Sequence, residues 1–201
     1  MLNRNKFSMI YNKVMETLKA LLNRVSIPKL SDPAPSKDQM AKVYQAALRA
    51  PDHAWLRPWR FIEASGSGRE KLGEALARSA KRMNIDDEEK LSRYKVLPQK
   101  APVVITLIAE IVDKPNVPEI EQIQSTAAAA QNILLALHDM GFGAYWRTGI
   151  FTSATNNYIA EELNLSKSSI VLGYLYVGTP NGEGKQIPIL DNENFVTYWN
   201  N

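Results

Sequence analysis

The chain has 201 residues, with 45% hydrophobic and 22% charged side chains, a net charge of +3, two histidines and no cysteine. A chain of this length buries about 70% of its unfolded surface, so one domain stabilises itself without staples. The composition excludes disulfides, thiolate nucleophiles, cysteine-ligated zinc and iron–sulfur clusters; it leaves no multi-histidine metal site and fits a reducing, cytoplasmic setting.

The first segment, Met1 to Leu22, reads as a helix, with Met9, Ile10, Val14, Leu18, Leu21 and Leu22 at helical spacing and Arg4, Lys6, Lys13 and Lys19 among them. It is either the first helix of the domain or a basic amphipathic element for a partner or membrane surface. Ser26 to Pro35 is Pro-rich and predicts a loop. Ser36 is placed as an N-cap for a helix over Lys37–Ala50, stopped by Pro51. Trp59–Ala64 alternates as a strand does, and Gly66 and Gly68 turn the chain into a helix from about Arg69 to Lys81. Asn84–Lys90 is acidic and reads as a solvated loop or a helix start.

Pro102–Glu110 is a β-branched run expected for a strand buried on both faces. Ile120–Met140 predicts a long helix closed by Gly141, apolar on almost every side between Thr126 and Leu137. Such a helix needs cover all round, from its own domain or from a second subunit. Thr155–Leu163 reads as a helix, Ile170–Gly178 as a second buried strand, and the apolar tail after Ile187 as a segment that docks on something. Helices outnumber strands, but the strands are core strands, so the class is α/β or α+β with three layers. No stretch reaches the ~20 apolar residues that span a bilayer.

Several nucleotide motifs come close and miss. Gly178–Lys185 has the wrong glycine spacing for a P-loop, and Gln186 stands where a magnesium-binding hydroxyl is needed. Gly141-Phe142-Gly143 begins a dinucleotide fingerprint but has Trp146 at the third glycine, and no G-x-S-x-G elbow is present. The small charge excess, interspersed with acidic residues, argues against a nucleic-acid binder. What remains is a set of arginines beside small or polar residues at element edges: Asn23-Arg24-Val25-Ser26, Arg49-Ala50-Pro51-Asp52-His53 and Trp146-Arg147-Thr148-Gly149. A guanidinium fork pairs with phosphate, and a nearby hydroxyl adds a donor. His53 can equally cap the helix ending at Ala50, and His138 suits the negative end of the long helix. Trp59 is expected in the core, and Trp55 either there or in a pocket.

On NRVS (23–26), DPAPS (32–36), ALRAPDHAWLRPWRF (47–61), AAAAQNILLALHDMGFGAYWRTG (127–149) and LGYLYVGTP (172–180), the chain resembles the FMN-dependent nitroreductase family, in its small bacterial NAD(P)H nitroreductase branch. The likeness runs from about Met15 to Trp199, leaving residues 1–14 as an N-terminal extension to a single domain of residues 15–201. The resemblance implies an α+β three-layer sandwich, a central mixed sheet flanked by helices, in an intertwined homodimer with FMN at the subunit interface. It places Arg24 and Ser26 on the FMN phosphate with the Val25 backbone, and completes that grip with Arg147 flanked by Trp146 and Thr148. It sends Arg49 and His53 to the flavin, and Ala136, Leu137, His138, Asp139, Met140 and Gly141 to the nicotinamide nucleotide. The family usually reads Arg-Arg-Ser-x-Arg where this chain has Arg24-Val25-Ser26-Ile27-Pro28-Lys29, which predicts fewer charge contacts to phosphate. The implied activity passes two electrons from NADH or NADPH through FMN to a nitroaromatic, quinone or similar small oxidant by ping-pong kinetics, with no catalytic acid or base assigned. The alternative is a flavin carrier or sensor without turnover.

Overall fold

A computed structural model of the chain describes residues 17–182 and 185–199. The first fourteen residues, expected to be helical, lie outside them. Residues 17–23 are helical and are called α1. Then follow β1 (Leu30–Ser31), α2 (Lys37–Ala47), β2 (Trp59–Ser65), α3 (Gly68–Arg82), α4 (Glu88–Val96), β3 (Val103–Glu110), α5 (Glu119–Asp139), β4 (Gly143–Arg147), α6 (Ile159–Glu162) and β5 (Ser169–Pro180).

The five-stranded sheet runs β2-β3-β5, with β1 and β4 also pairing with β5. All four ladders among the described residues are antiparallel, so the parallel member of a mixed sheet is not among them. In β3 every residue except Glu110 is buried, as its unbroken apolar run requires. Val103, Ile105 and Leu107 face one core with Leu175 and Val177 of β5, covered by α2 and α5. Val104, Val171, Tyr174 and Tyr176 face a second core, covered by α3 and α4. This is the three-layer α+β arrangement.

The helix ends show why these segments fold as they do. Ser36 accepts from the Gln39 N–H while the Gln39 side chain accepts from the Ser36 N–H, which is a capping box. At the far end, α2 stops three residues before the expected Ala50. Pro51 has no N–H to continue the ladder and disfavours helix at the residue before it, so Arg49 and Ala50 close onto Ala46 and Ala47 in tighter steps. α5 ends with Gly141 at φ +82°: its N–H meets the His138 carbonyl, and the Phe142 N–H meets Leu137, a Schellman closure.

One open reading is decided and one expectation changes. The acidic run at Asp86–Glu89 is a helix start, because the Asp87 carboxylate accepts from the Lys90 N–H and begins α4. The helix expected over Thr155–Leu163 is reduced to Ile159–Glu162. Asn156 is buried, donates to Ser79 and accepts the Tyr158 N–H, so the chain there turns around its side chain instead of coiling.

Glu110, at the end of β3, gathers Ser166, Ser168 and Ser169 around its carboxylate. These hydrogen bonds, Ser166 first, outweigh partial desolvation and hold the carboxyl below its ordinary 4.5. The stability from this cluster is complete above that ordinary value and is lost as the pH falls through the lowered one. Thermal melts taken from about pH 7 to about pH 3 should show wild type losing more stability than Glu110→Gln over the acid part of the range. Parallel curves would exclude the cluster as an acid-sensitive tie.

Candidate active site

Arg49 follows the last turn of α2 and is exposed, standing between two hollows. One, of about 710 Å³, lies between α1, α2 and α5 and is lined by Thr17, Ala20, Ala46, Arg49, Asn132, Leu135, Ala136 and Asp139. Asn132 donates to the Ala46 carbonyl at 3.0 Å and ties α5 to α2 along its floor. A smaller hollow of about 320 Å³ adjoins it, lined by Lys19, Ala20, Asn23, His138 and Asp139. The fold therefore brings Arg49, Ala136, His138 and Asp139 to one region from segments about 90 residues apart. Leu137 does not share it: the side chain is fully buried in the α2–α5 core, and Met140 packs on the same core.

The Arg24–Ser26 segment leaves α1 after the Arg24 N–H closes on Ala20. Three residues on, the Ile27 N–H donates to the Ala144 carbonyl at 3.1 Å, joining this segment to β4. β4 itself was not legible as a strand. Its alternation splits the expected Trp146–Arg147 pair, since Ala144 and Trp146 face the α5 side while Tyr145 packs in the opposite core. Arg147 donates to the Tyr145 hydroxyl at 2.7 Å, and Tyr145 lies 5.5 Å from the Tyr176 ring. Burial pushes the Tyr176 phenol up, partly offset by the Arg147 charge. Thr148 is exposed beyond the strand.

Trp146 passes over a bulge in β5. The register skips one residue between Leu107–Gly173 and Ile108–Val171, which puts Val171 and Tyr174 on the same face. Gly173 sits in this bulge at φ +143°, and a Cβ there would lie 2.4 Å from Trp146 Nε1 and 2.7 Å from the Arg147 carbonyl. The glycine is what lets the indole lie against the sheet.

The second hollow beside Arg49, of about 590 Å³, is framed by the loop that links α2 to β2. Leu48, Ala50, Pro51, Asp52, Trp55, Arg57 and Trp59 line it with Arg49. Trp59 is core at 4% exposure, as expected, whereas Trp55 is 79% exposed. Ala54, Trp55 and Arg57 all have positive φ, at 55°, 57° and 49°. Each such residue costs of order 1–3 kcal/mol, and the surroundings must hold it. Asp52 accepts the Arg57 N–H at 2.8 Å, and His53 Nδ1 lies 2.7 Å from Glu121 on α5. His53 thus pairs with α5 and does not cap α2. Pro51 and Pro58 marked this loop in the sequence, but its left-handed residues and the distant Glu121 left no local signal.

A model of the nitroreductase family matches residues 21–179, a span that includes every residue lining the two hollows beside Arg49 except Thr17 and Ala20 of α1. The chain belongs to the nitroreductase family. That family is one of oxidoreductases, and the chain is an enzyme of that class. The Escherichia coli K12 relative named "Putative NAD(P)H nitroreductase YdjA" is 33% identical over 186 residues, covering 92% of this chain and 100% of that one. A Haemophilus influenzae relative named "Putative NAD(P)H nitroreductase" is 31% identical with the same coverage. Among solved structures, a nitroreductase-like family protein from Bacillus cereus superposes with a TM-score of 0.78 at 22% identity, over 92% of this chain and 96% of that one. A mutant of the FMN and NADPH-dependent nitroreductase NfnB from sphigopyxis sp. strain HMH superposes with a TM-score of 0.70 at 16% identity, over 91% and 98%. These two likenesses establish the fold.

In this nitroreductase, Gly173→Ala should destabilise the fold by about 1–3 kcal/mol, because the new methyl collides with Trp146 and with backbone. Urea denaturation checks this; an unchanged midpoint would mean the indole has room to move.

Proposed function

We propose that this enzyme is an FMN-dependent NAD(P)H oxidoreductase acting on nitroaromatics, quinones or similar small oxidants. The observation that carries the reading is Arg49 standing beside a 710 Å³ hollow walled by Ala46, Leu135 and Ala136 and edged by Asn132, in a chain of this family. Small apolar side chains suit the face of a flat ring system, and the volume is that of an ordinary ligand site. An amide and a guanidinium at the rim suit its polar edge, so the donor set fits FMN.

When bound, FMN supplies two-electron chemistry between the nicotinamide donor and the oxidant. Arg49, which lines the hollow, would then set a fixed positive charge beside it and favour the electron-rich state. Arg24 and Ser26, with the Val25 backbone, would be the phosphate contacts, and Arg147 would be the second guanidinium on leaving the Tyr145 hydroxyl that it now meets. Ala136, His138 and Asp139 face the side where the nicotinamide nucleotide approaches. For a nitro group the overall reaction takes NAD(P)H and a proton with the nitroarene, and yields NAD(P)⁺, the nitroso product and water. That proton comes from solvent, and no side chain is given the part of acid or base. Donor and oxidant would take turns at the same bound flavin, which gives ping-pong kinetics.

The homodimer belongs to the same reading. Phe195, Tyr198 and Trp199 in the tail are 72%, 64% and 93% exposed, and a second copy of the chain is the surface that covers them. No helix among the described residues is long and apolar enough to cross a membrane. The cysteine-free composition supports a cytoplasmic location.

Purified protein should show the absorption bands of oxidised flavin and bleach with NADH or NADPH; a colourless protein would overturn the reading, and a yellow one that neither nucleotide bleaches would favour a carrier. Arg24→Ala and Arg147→Ala should each weaken FMN retention by about 1.5–3 kcal/mol, the size of a charged hydrogen bond. Unchanged flavin content after gel filtration of both variants would refute the clamp.

A further inference from the structure

The loop between α2 and β2 holds features that FMN binding leaves unexplained. Trp55 is almost wholly exposed, on a backbone with positive φ at residues 54, 55 and 57. A large exposed aromatic held in strained backbone is a feature that a purely structural loop has no reason to keep. The Arg57 guanidinium lies 5.5 Å from the centre of the Trp55 ring, and both line the 590 Å³ hollow with Arg49. The only carboxylate among the lining residues, Asp52, already accepts the Arg57 N–H. The hollow thus offers an aromatic face, two guanidiniums and one engaged carboxylate, with Trp59 as its apolar floor.

From this we infer that Trp55 and Arg57 form a clasp for an aromatic ring carrying an anionic group, and that the clasp sets substrate preference. The ring stacks on Trp55, and Arg57 pairs with the anion. The inference rests on the proposed function for its meaning, since Arg49 lines both hollows and so places a clasped ring next to the flavin side. Two sources carry this chemistry: a nitroaromatic carboxylate among the oxidants, or the adenosine 2′-phosphate end of NADPH.

The test is calorimetric binding to the protein as purified, with no nicotinamide present, using 4-nitrobenzoate against 4-nitrobenzamide and adenosine 2′-phosphate against adenosine. At least one anion should bind about tenfold more tightly than its neutral partner, the difference a charged hydrogen bond makes. Arg57→Gln should bring that ratio below about twofold, whereas Trp55→Ala should weaken both members of the pair and keep the ratio. A preference confined to nitrobenzoate places the clasp on the oxidant, and one confined to the 2′-phosphate places it on the donor. Equal binding within both pairs, or a ratio that survives Arg57→Gln in a variant with wild-type melting, overturns the clasp. Bleaching of flavin by NAD(P)H without an anion preference removes the clasp alone. An anion preference in protein that nicotinamide does not bleach removes the proposed activity and leaves the clasp.

Discussion

Burial of β3 and β5 on both faces is the constraint from which the architecture follows, because each strand then needs a layer of helix on either side. Leu107 and Leu175 demand cover from α2 and α5, while Val104 and Tyr174 demand it from α3 and α4. Fully burying side chains of this size contributes roughly 1.5–3 kcal/mol each, so neither layer can be removed without exposing the sheet. The bulge at Gly173 adjusts which β5 residues face each layer, and it also seats Trp146. Strand packing and the position of the expected site are therefore linked through a single glycine.

The hollows arise where helices stop. α2 ends because Pro51 cannot continue it, and α5 ends because Gly141 turns left-handed. Small residues such as Ala20 of α1, Ala46 and Ala136 leave space between the three helices. The negative ends of the α2 and α5 dipoles meet there, and Arg49, which lines the hollow, sets a positive charge against them. The loop after α2 is held open in another way: Asp52 grips the Arg57 backbone, and Glu121 holds His53 from α5.

Much of the fold was legible. The β-branched run at Pro102–Glu110, the Ser36 N-cap and the Gly141 stop each carry a local mechanism that acts on neighbouring residues, and the structure has them in place. The strand at Gly143–Arg147 was hidden because it is short, starts on glycine and depends on pairing with β5. The shortened helix near Ile159 was hidden for a related reason: Asn156 is diverted by Ser79, a residue 77 positions away.

The sequence by itself determined the class of layers, the burial of two strands, the stops of the long helices and the residues that resemble a nitroreductase. Those follow from period, chain stiffness and hydrogen-bonding capacity, which act over a few residues. Only the tertiary structure decided that Trp146 and Tyr145 face opposite sides of the sheet, that Leu137 is core while Ala136 lines a hollow, and that His53 meets Glu121. Facing and pairing depend on which distant segments pack together, and that is set by burial over the whole chain.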